Sequence, residues 1–196
     1  MEILAGRQVN SIRHLQSFLD RWKEAAARAP DSCVKTVERS ATGNINLGSQ
    51  ARTAPSHLLP RGHKDFYRFI EPGILPWVAF VVTELDLITY TSCEGHRYPN
   101  GDIDERHVGM LVESQEKADL LRNLHEDVEI DLISMPHCLG WMDHTVVGDG
   151  LCWRAIDIFL MRKAESTWAD YFARLDEATA IVINGARRRA KLKLGL

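Results

Sequence analysis

The segment from Pro72 to Ser92 constrains the fold most, because it joins a strongly apolar helical pattern directly to a strand pattern. Pro72 suits the first turn of a helix, and the apolar residues after it cover most of a helix surface. We therefore predict a buried helix from Pro72 to about Asp86 and a strand from Leu87 to Ser92. A pair of strands is the alternative, since β-branched residues are frequent in both parts.

The N-terminal part of the chain predicts one helix and one long loop. Apolar residues recur at three- and four-residue spacing from Ser11 to about Ala29, which indicates an amphipathic helix packed on the core. Cys33 to Val37 fits a short strand. Residues 40–60 are rich in Ser, Thr, Gly, Asn, Ala and Pro, which is typical of an irregular loop. Such a loop can carry side chains to a site, here His57 and His63, although a solvated histidine pair is the alternative.

The rest of the chain predicts further strands and helices. A strand over His107–Val112 precedes a helix that opens at Ser114. The later elements are a strand over Ile130–Ser134, an irregular segment over 135–150, a strand over Ala155–Met161 and a long helix from about Ser166. We expect a single compact α/β domain over residues 1–196, with α+β as the alternative, in which three to four central strands are flanked by helices.

Composition narrows the class of protein. With 196 residues, of which 45% are hydrophobic, the chain can bury one sizeable core. A net charge of −3 gives no global attraction to nucleic acid or to a membrane. The four cysteines are scattered, and the first residues lack a signal-peptide pattern, so we expect a cytoplasmic protein. The longest apolar run, Ile74 to Val82, is shorter than the roughly 20 residues of a membrane span.

Chemically capable side chains are most concentrated between Ser92 and His96. Cys93, Glu94 and His96 lie in this stretch, with Gly95 allowing a tight turn. The stretch follows a predicted strand, and α/β sheets bind ligands at strand ends. We therefore expect a functional site here.

Three interpretations of this stretch stay open. In the first, Cys93 and His96 bind zinc or another transition metal, with an open position for catalysis. Further ligands would come from His137, His107, Cys138 or His144. In the second, Cys93 is a nucleophile activated by His96 or His107. In the third, the stretch is a structural turn with a buried cysteine.

Other residues are candidates for supporting roles. Glu94 or Asp157 could carry a proton or orient the base, and Asp157 is notable because it is a carboxylate inside an apolar run. Arg97 and Arg154 could contact an anionic group of the substrate, alongside Ser92 and Gly95.

The C-terminus is strongly basic. Its cations are Arg187, Arg188, Arg189, Lys191 and Lys193. Cations complement the dipole at a helix C-terminus, which is the simplest explanation. The alternative is a surface that binds nucleic acid or an acidic partner.

The stretch from Thr91 to His96 resembles a group of small, largely uncharacterised bacterial and phage proteins. In these, a helix that begins with Pro-Gly leads to a strand ending in Ser-Cys-Glu-Gly-His, and a strand and a helix follow. The matching pieces here are Glu71–Pro76, Thr89–His96 and Val108–Val112. The resemblance implies a site at Cys93 to His96 without naming its chemistry. A fainter likeness links the stretch to the wybutosine-synthesising tRNA methyltransferases, which have Ser and Arg where this chain has Glu94 and His96.

These observations favour an enzyme. We expect metal-assisted or thiol-dependent chemistry on a nucleotide, a nucleic acid or another small polar substrate. The rival hypothesis is a non-catalytic binding or regulatory component of a phage-related or defence assembly, in which the basic C-terminus is the working surface.

Overall fold

The structure, a computed structural model, describes residues 2–3, 10–31, 58–98, 100–126 and 128–194. The predicted strand Cys33–Val37, His57 and most of the predicted loop 40–60 lie outside these residues. The helices are α1 (Leu15–Glu24), α2 (Leu75–Thr83), α3 (Gln115–Glu126), α4 (Val128–Asp131), α5 (Trp168–Ala173) and α6 (Leu175–Leu194). The strands are β1 (Glu2–Ile3), β2 (Asn10–Ser11), β3 (Ile88–Cys93), β4 (His96–Arg97), β5 (Ile103–Asp104), β6 (Arg106–Val112), β7 (His137–Gly148) and β8 (Leu151–Arg162).

Four antiparallel strands form the centre of the fold, in the order β7-β8-β6-β3. The short strands β1 and β2 pair in parallel with β7, while β4 and β5 form a separate two-stranded ribbon. This architecture of helices and a central sheet confirms the expected α/β domain with four central strands. Because the sheet is antiparallel, the ligand-binding rule for parallel α/β sheets does not explain the position of Cys93, although Cys93 does end β3.

The two faces of the sheet carry different neighbours. Ile156 and Ile158 of β8 alternate with Asp157 and pair with Met110 and Val108 of β6, which places these apolar side chains on one buried face. Helix α3 covers this face, where Arg122 lies over the Trp141 ring, and α6 packs on α2, α3 and α4. Helix α1 packs against β7 on the opposite face of the sheet, which carries Asp157.

The central prediction from the sequence is confirmed. Helix α2 followed by β3 occupies the segment from Pro72 to Ser92, and the alternative pair of strands does not occur. The predicted strand at His107 and the helix after Ser114 are present as β6 and α3.

Three predicted elements were wrong. Residues 130–134 were predicted as a strand but form the end of α4 and a turn. Ile130 and Ile133, which are 72% and 79% exposed, do not enter the sheet. Residues 137–148 of the predicted irregular segment form β7, which pairs along its whole length with β8. The predicted final helix is divided into α5 and α6, with Arg174 between them in a non-helical conformation.

The turn between β7 and β8 is a sequence signal for the hairpin that contains the missed strand β7. Asp149 and Gly150 join the strands, and both have positive φ angles, 50° and 76°. An Asp-Gly pair with this geometry is a favoured two-residue hairpin turn. The signal was therefore present in the sequence between two apolar segments. No helix in the described part of the chain is long and apolar enough to cross a membrane.

Candidate functional site

The stretch from Ser92 to His96 makes a tight turn between β3 and β4. Gly95 lies at this turn with a φ angle of +91°, a conformation that L side chains rarely adopt. A Cβ atom at this position would also lie 3.1 Å from Leu175 Cδ2 and 3.3 Å from the Arg106 amide nitrogen. Glycine is therefore needed here for its backbone angle and for its small size.

The turn brings His96 against a carboxylate from the start of the α2 segment. His96 Nε2 lies 2.8 Å from Glu71 Oε1, and both side chains are buried, with His96 8% exposed. The second oxygen of Glu71 accepts a hydrogen bond from the Glu94 amide at 2.8 Å. Glu71 thus holds the imidazole with one oxygen and the turn with the other.

Cys93 completes the cluster. One ligand-capable atom from each of Glu71, Cys93 and His96 lies within 4.8 Å of the other two. Cys93 is half-buried, and its Sγ accepts a 3.4 Å hydrogen bond from the Gly95 amide. Cys93 is therefore the least buried residue of the cluster.

Electrostatics favour a charged imidazole. Hydrogen bonds to Cys93 and to Glu71 raise the pKa of His96 to about 10, and they outweigh burial, which acts in the opposite direction. At neutral pH the ring is therefore an imidazolium in contact with a carboxylate and a sulfur atom. Such a cation stabilises a thiolate beside it.

A buried arginine fixes the turn to the C-terminal helix. Arg106 Nε donates to the Glu94 carbonyl oxygen at 2.7 Å. The same guanidinium donates to Thr179 Oγ1 at 2.7 Å and to Asp176 Oδ1 at 2.8 Å, both on α6. The Glu94 carboxylate in turn accepts from the Gly73 amide at 2.8 Å. The cluster is thus connected to α6 and to the start of α2 by buried polar contacts.

The arrangement supports two kinds of chemistry. A cysteine, a histidine and a carboxylate in one cluster are the parts of a nucleophile, a base and a residue that orients the base. The same three side chains are also ligands that zinc accepts, and three protein ligands leave one tetrahedral position open.

No model of a known protein family, no curated protein and no solved structure matches this chain.

The predicted site residues are only partly brought together. Cys93 and His96 meet in the cluster, and Ser92 and Gly95 adjoin it in the chain. His107 pairs with Cys93 across the strands, and its ring packs on Phe159 with centroids 4.9 Å apart. The Glu94 carboxylate accepts a hydrogen bond from the Gly73 amide.

The structure places His137 in the core, away from its predicted role as a metal ligand. Its Nε2 lies 2.9 Å from the Tyr171 carbonyl oxygen, and the ring packs against that of Tyr171. Burial lowers the pKa of His137 to about 4, so the ring is neutral at pH 7. The cluster of metal-ligating groups in the described part of the chain contains Glu71 in its place.

Asp157 belongs to a second buried polar group. Its Oδ1 accepts a hydrogen bond from Tyr90 Oη at 2.7 Å, and its Oδ2 lies 3.3 Å from His144 Nε2. Gly109 lies beneath this group, where a Cβ atom would overlap the Asp157 carboxylate and the Thr91 methyl group. Asp157 therefore serves a different cluster from that of Cys93.

The two arginines proposed as anion contacts lie elsewhere. Arg97 is exposed on β4. Arg154 donates to Asp143 Oδ1 at 3.0 Å and also to Gln115, so its guanidinium is held on the sheet by its neighbours.

The arginines at the basic C-terminus have acidic partners within the chain. Arg187 pairs with Glu84, while Arg188 and Arg189 both contact Asp131, at 2.8 and 3.3 Å. These contacts attach α6 to α2 and α4. Lys191 and Lys193 lie in the last turn of α6, whose side chains are outside the described part.

Sequence reasoning missed Glu71 and Arg106. Glu71 precedes the Pro72-Gly73 pair and was part of the segment that carries the family resemblance, so a signal for it existed. Arg106 gave no such signal, because its partners on α6 are brought near only by folding.

Proposed function

We propose that this protein is an enzyme that uses Cys93 as a covalent nucleophile, with His96 as the proton carrier and Glu71 as the residue that orients it. The observation that supports this proposal is the position of the His96 imidazole, bonded to the Glu71 carboxylate at 2.8 Å and hydrogen-bonded to Cys93. The side chains needed as nucleophile, base and orienting group are thus in one cluster.

The division of exposure supports the same roles. Glu71 and His96 are buried, whereas Cys93 is half-buried. A group that only orients and charges the imidazole gains from burial, because its interactions are stronger in a low dielectric. A nucleophile must instead reach its substrate. A purely structural turn would not require a half-buried cysteine beside a charged imidazole.

The proposed reaction has two steps, the formation and the hydrolysis of a covalent intermediate at Cys93. The Cys93 thiolate attacks an electrophilic carbon, a sulfur–carbon bond forms, and the bond to the leaving group breaks as the His96 imidazolium transfers a proton to it. Water then attacks the same carbon while neutral His96 accepts its proton, and the sulfur–carbon bond breaks to regenerate the thiolate and the imidazolium. Glu71 keeps the ring aligned and stabilises its positive charge in both steps.

The proposal is tested by alkylation of Cys93 with iodoacetamide, followed by peptide-resolved mass spectrometry. Cys152 is exposed and serves as the internal control in the same molecule. At about pH 6 an ordinary thiol is almost fully protonated and reacts slowly. Because the His96 imidazolium stabilises a thiolate beside it, we expect Cys93 to react at least about tenfold faster than Cys152. His96→Gln should remove most of this advantage. Equal rates for the two cysteines in the folded protein would overturn the proposal.

A second candidate function follows from the closeness of the ligand atoms. We infer that the same cluster could bind a zinc ion through Glu71, Cys93 and His96, since their ligand atoms lie within 4.8 Å of one another. Bound zinc would supply a Lewis acid with an open position for substrate. Elemental analysis of untagged protein separates the candidates: about one zinc per chain, lost in Cys93→Ser and in Glu71→Gln, supports the metal site. Metal-free protein with a fast-reacting Cys93 supports the thiol enzyme.

A further inference from the structure

A cavity of about 300 Å³ lies along the outer edge of β3, beside the candidate site. Its first wall comes from the segment before α2 and includes Phe66, Phe69 and Ile70. Its second wall is the strand from Thr89 to Ser92. Successive strand residues point to opposite faces, so a cavity lined by all four follows the edge of the sheet. The volume is at the lower end of the range for small-molecule sites.

Both walls adjoin the cluster along the chain. Ser92 lines the cavity, and the next residue is Cys93; Ile70 lines the opposite wall, and the next residue is Glu71. Consecutive Cα atoms are about 3.8 Å apart, so the cavity ends within one residue of the nucleophile on one side and of its orienting carboxylate on the other.

The lining defines the chemistry of the group that fits. No charged side chain lines the cavity in the described part of the chain, which does not suit a phosphate or a carboxylate. Phe66, Phe69 and Tyr90 present aromatic rings, which pack well on another planar ring. The hydroxyl groups of Thr89, Thr91 and Ser92 can bond a polar edge of such a ring.

Tyr90 is held as a fixed part of this wall. The register between β3 and β6 shifts between Thr89 and Thr91, so Tyr90 lies at a β-bulge, a feature that redirects a side chain. Its hydroxyl donates to Asp157 at 2.7 Å and lies 2.9 Å from His144 Nε2. These contacts fix Tyr90 where it lines the cavity.

We infer that this cavity binds an uncharged aromatic group of the substrate and directs the adjoining electrophilic carbon to Cys93. This inference rests on the proposed covalent function and adds the substrate class to it. The cavity supplies binding and orientation, whereas the cluster supplies the reaction.

The test compares three alkylating reagents on the full chain: iodoacetamide, N-benzyl iodoacetamide and N-(4-carboxybenzyl) iodoacetamide. Rates are measured for Cys93 and Cys152 in the same sample. We expect the ratio of the Cys93 rate to the Cys152 rate to be about tenfold higher for the benzyl reagent than for iodoacetamide, with saturation at high reagent concentration. The carboxybenzyl reagent should lose this gain, since its charge finds no partner in the cavity.

Matched variants test the location. Leu59→Trp fills the cavity, which Leu59 lines, and should abolish the benzyl preference. Ile133→Trp adds the same side chain at an exposed position and should leave the preference unchanged.

A second measurement separates failure of the cavity from failure of the nucleophile. Binding of N-benzylacetamide to the Cys93→Ser protein is followed by saturation-transfer NMR, which needs no thiol, and Leu59→Trp should abolish the signal. Fast iodoacetamide labelling of Cys93 without a benzyl preference and without this binding would overturn the cavity and leave the covalent function standing. Slow labelling with binding present would overturn the covalent function and retain the aromatic site.

Discussion

The Glu71 carboxylate and the His96 imidazole are joined by a 2.8 Å contact between Oε1 and Nε2, although helix α2 and strand β3 separate them in the chain. This contact makes the stretch after β3 more than a turn. It gives the imidazole a fixed orientation and a positive charge, and both are properties that Cys93 needs in order to react.

Removing the charge of Glu71 should slow Cys93. Glu71→Gln keeps the size of the side chain but withdraws the negative charge from the imidazolium, so the pKa of His96 should fall. We expect alkylation of Cys93 at about pH 6 to slow by about 10- to 100-fold, the range known for carboxylates that orient a metal-bound histidine. Glu94→Gln is the matched control, because that carboxylate contacts the Gly73 amide, and its effect should be several times smaller. Equal effects of the two variants would contradict the role assigned to Glu71.

Stability should decrease on the alkaline side through His96. Its pKa is raised from the ordinary value of 6.5 to about 10 in the folded protein, so folding favours the protonated ring. This stabilisation is fully present below about pH 6.5 and is lost as the pH rises towards 10. Urea unfolding at a series of pH values should show the decrease in wild type and a flatter profile in His96→Gln. An equally steep decrease in the variant would refute this origin.

The acidic side should respond to the buried histidines of the core. Burial lowers the pKa of His125 and of His137 to about 4, below the ordinary value of 6.5. The unfolded chain therefore binds protons that the folded chain does not, and stability should fall as the pH drops from about 6.5 towards 4. His125→Gln should reduce the steepness of this loss in urea unfolding, even if it lowers stability at pH 7. An unchanged slope would show that other groups control the acidic limb.

Two glycines with the same backbone angle should differ in their tolerance of alanine. Gly95 and Gly101 have φ angles of +91° and +92°, but a Cβ at Gly95 meets Leu175 and Arg106, whereas a Cβ at Gly101 meets nothing within 4 Å. Gly101→Ala should lower the free energy of unfolding by about 1 kcal/mol, from backbone strain alone. Gly95→Ala should lower it by about 1–3 kcal/mol more, through overpacking. Thermal or urea unfolding measures both, and equal losses would contradict the packing argument.

The hydroxyl of Tyr90 should contribute more to stability than that of Tyr98. Tyr90 donates to the buried Asp157, whereas Tyr98 donates to the exposed Asp104 at 2.6 Å. Removing a donor from a buried carboxylate costs about 1–3 kcal/mol, so Tyr90→Phe should lower the free energy of unfolding by this amount. Tyr98→Phe should change it by less than about 1 kcal/mol. The reverse order would indicate that the Asp157 group is hydrated and adds little to stability.

Much of the fold could be predicted because its signals are local. The apolar segment after Pro72 predicts a helix and the β-branched residues before Cys93 predict a strand, and these elements are present as α2 and β3. Strand β7 was missed because its polar residues, such as His144 and Asp143, contact partners on other strands. Ile130 and Ile133 led to a predicted strand that is absent, since both are apolar but exposed. Ile130 lies in α4 and Ile133 in the turn after it.

By itself, the sequence determined the turn that holds Cys93 and His96, because Gly95 and the flanking strands act over a few residues. The tertiary structure alone decided that Glu71 lies on His96, that Arg106 ties the turn to α6, and that Asp157 belongs with Tyr90. The physical reason is that hydrogen bonds and charges act over a few ångströms in space, whatever the separation along the chain. Which carboxylate meets which imidazole is therefore set by how the helices and strands pack.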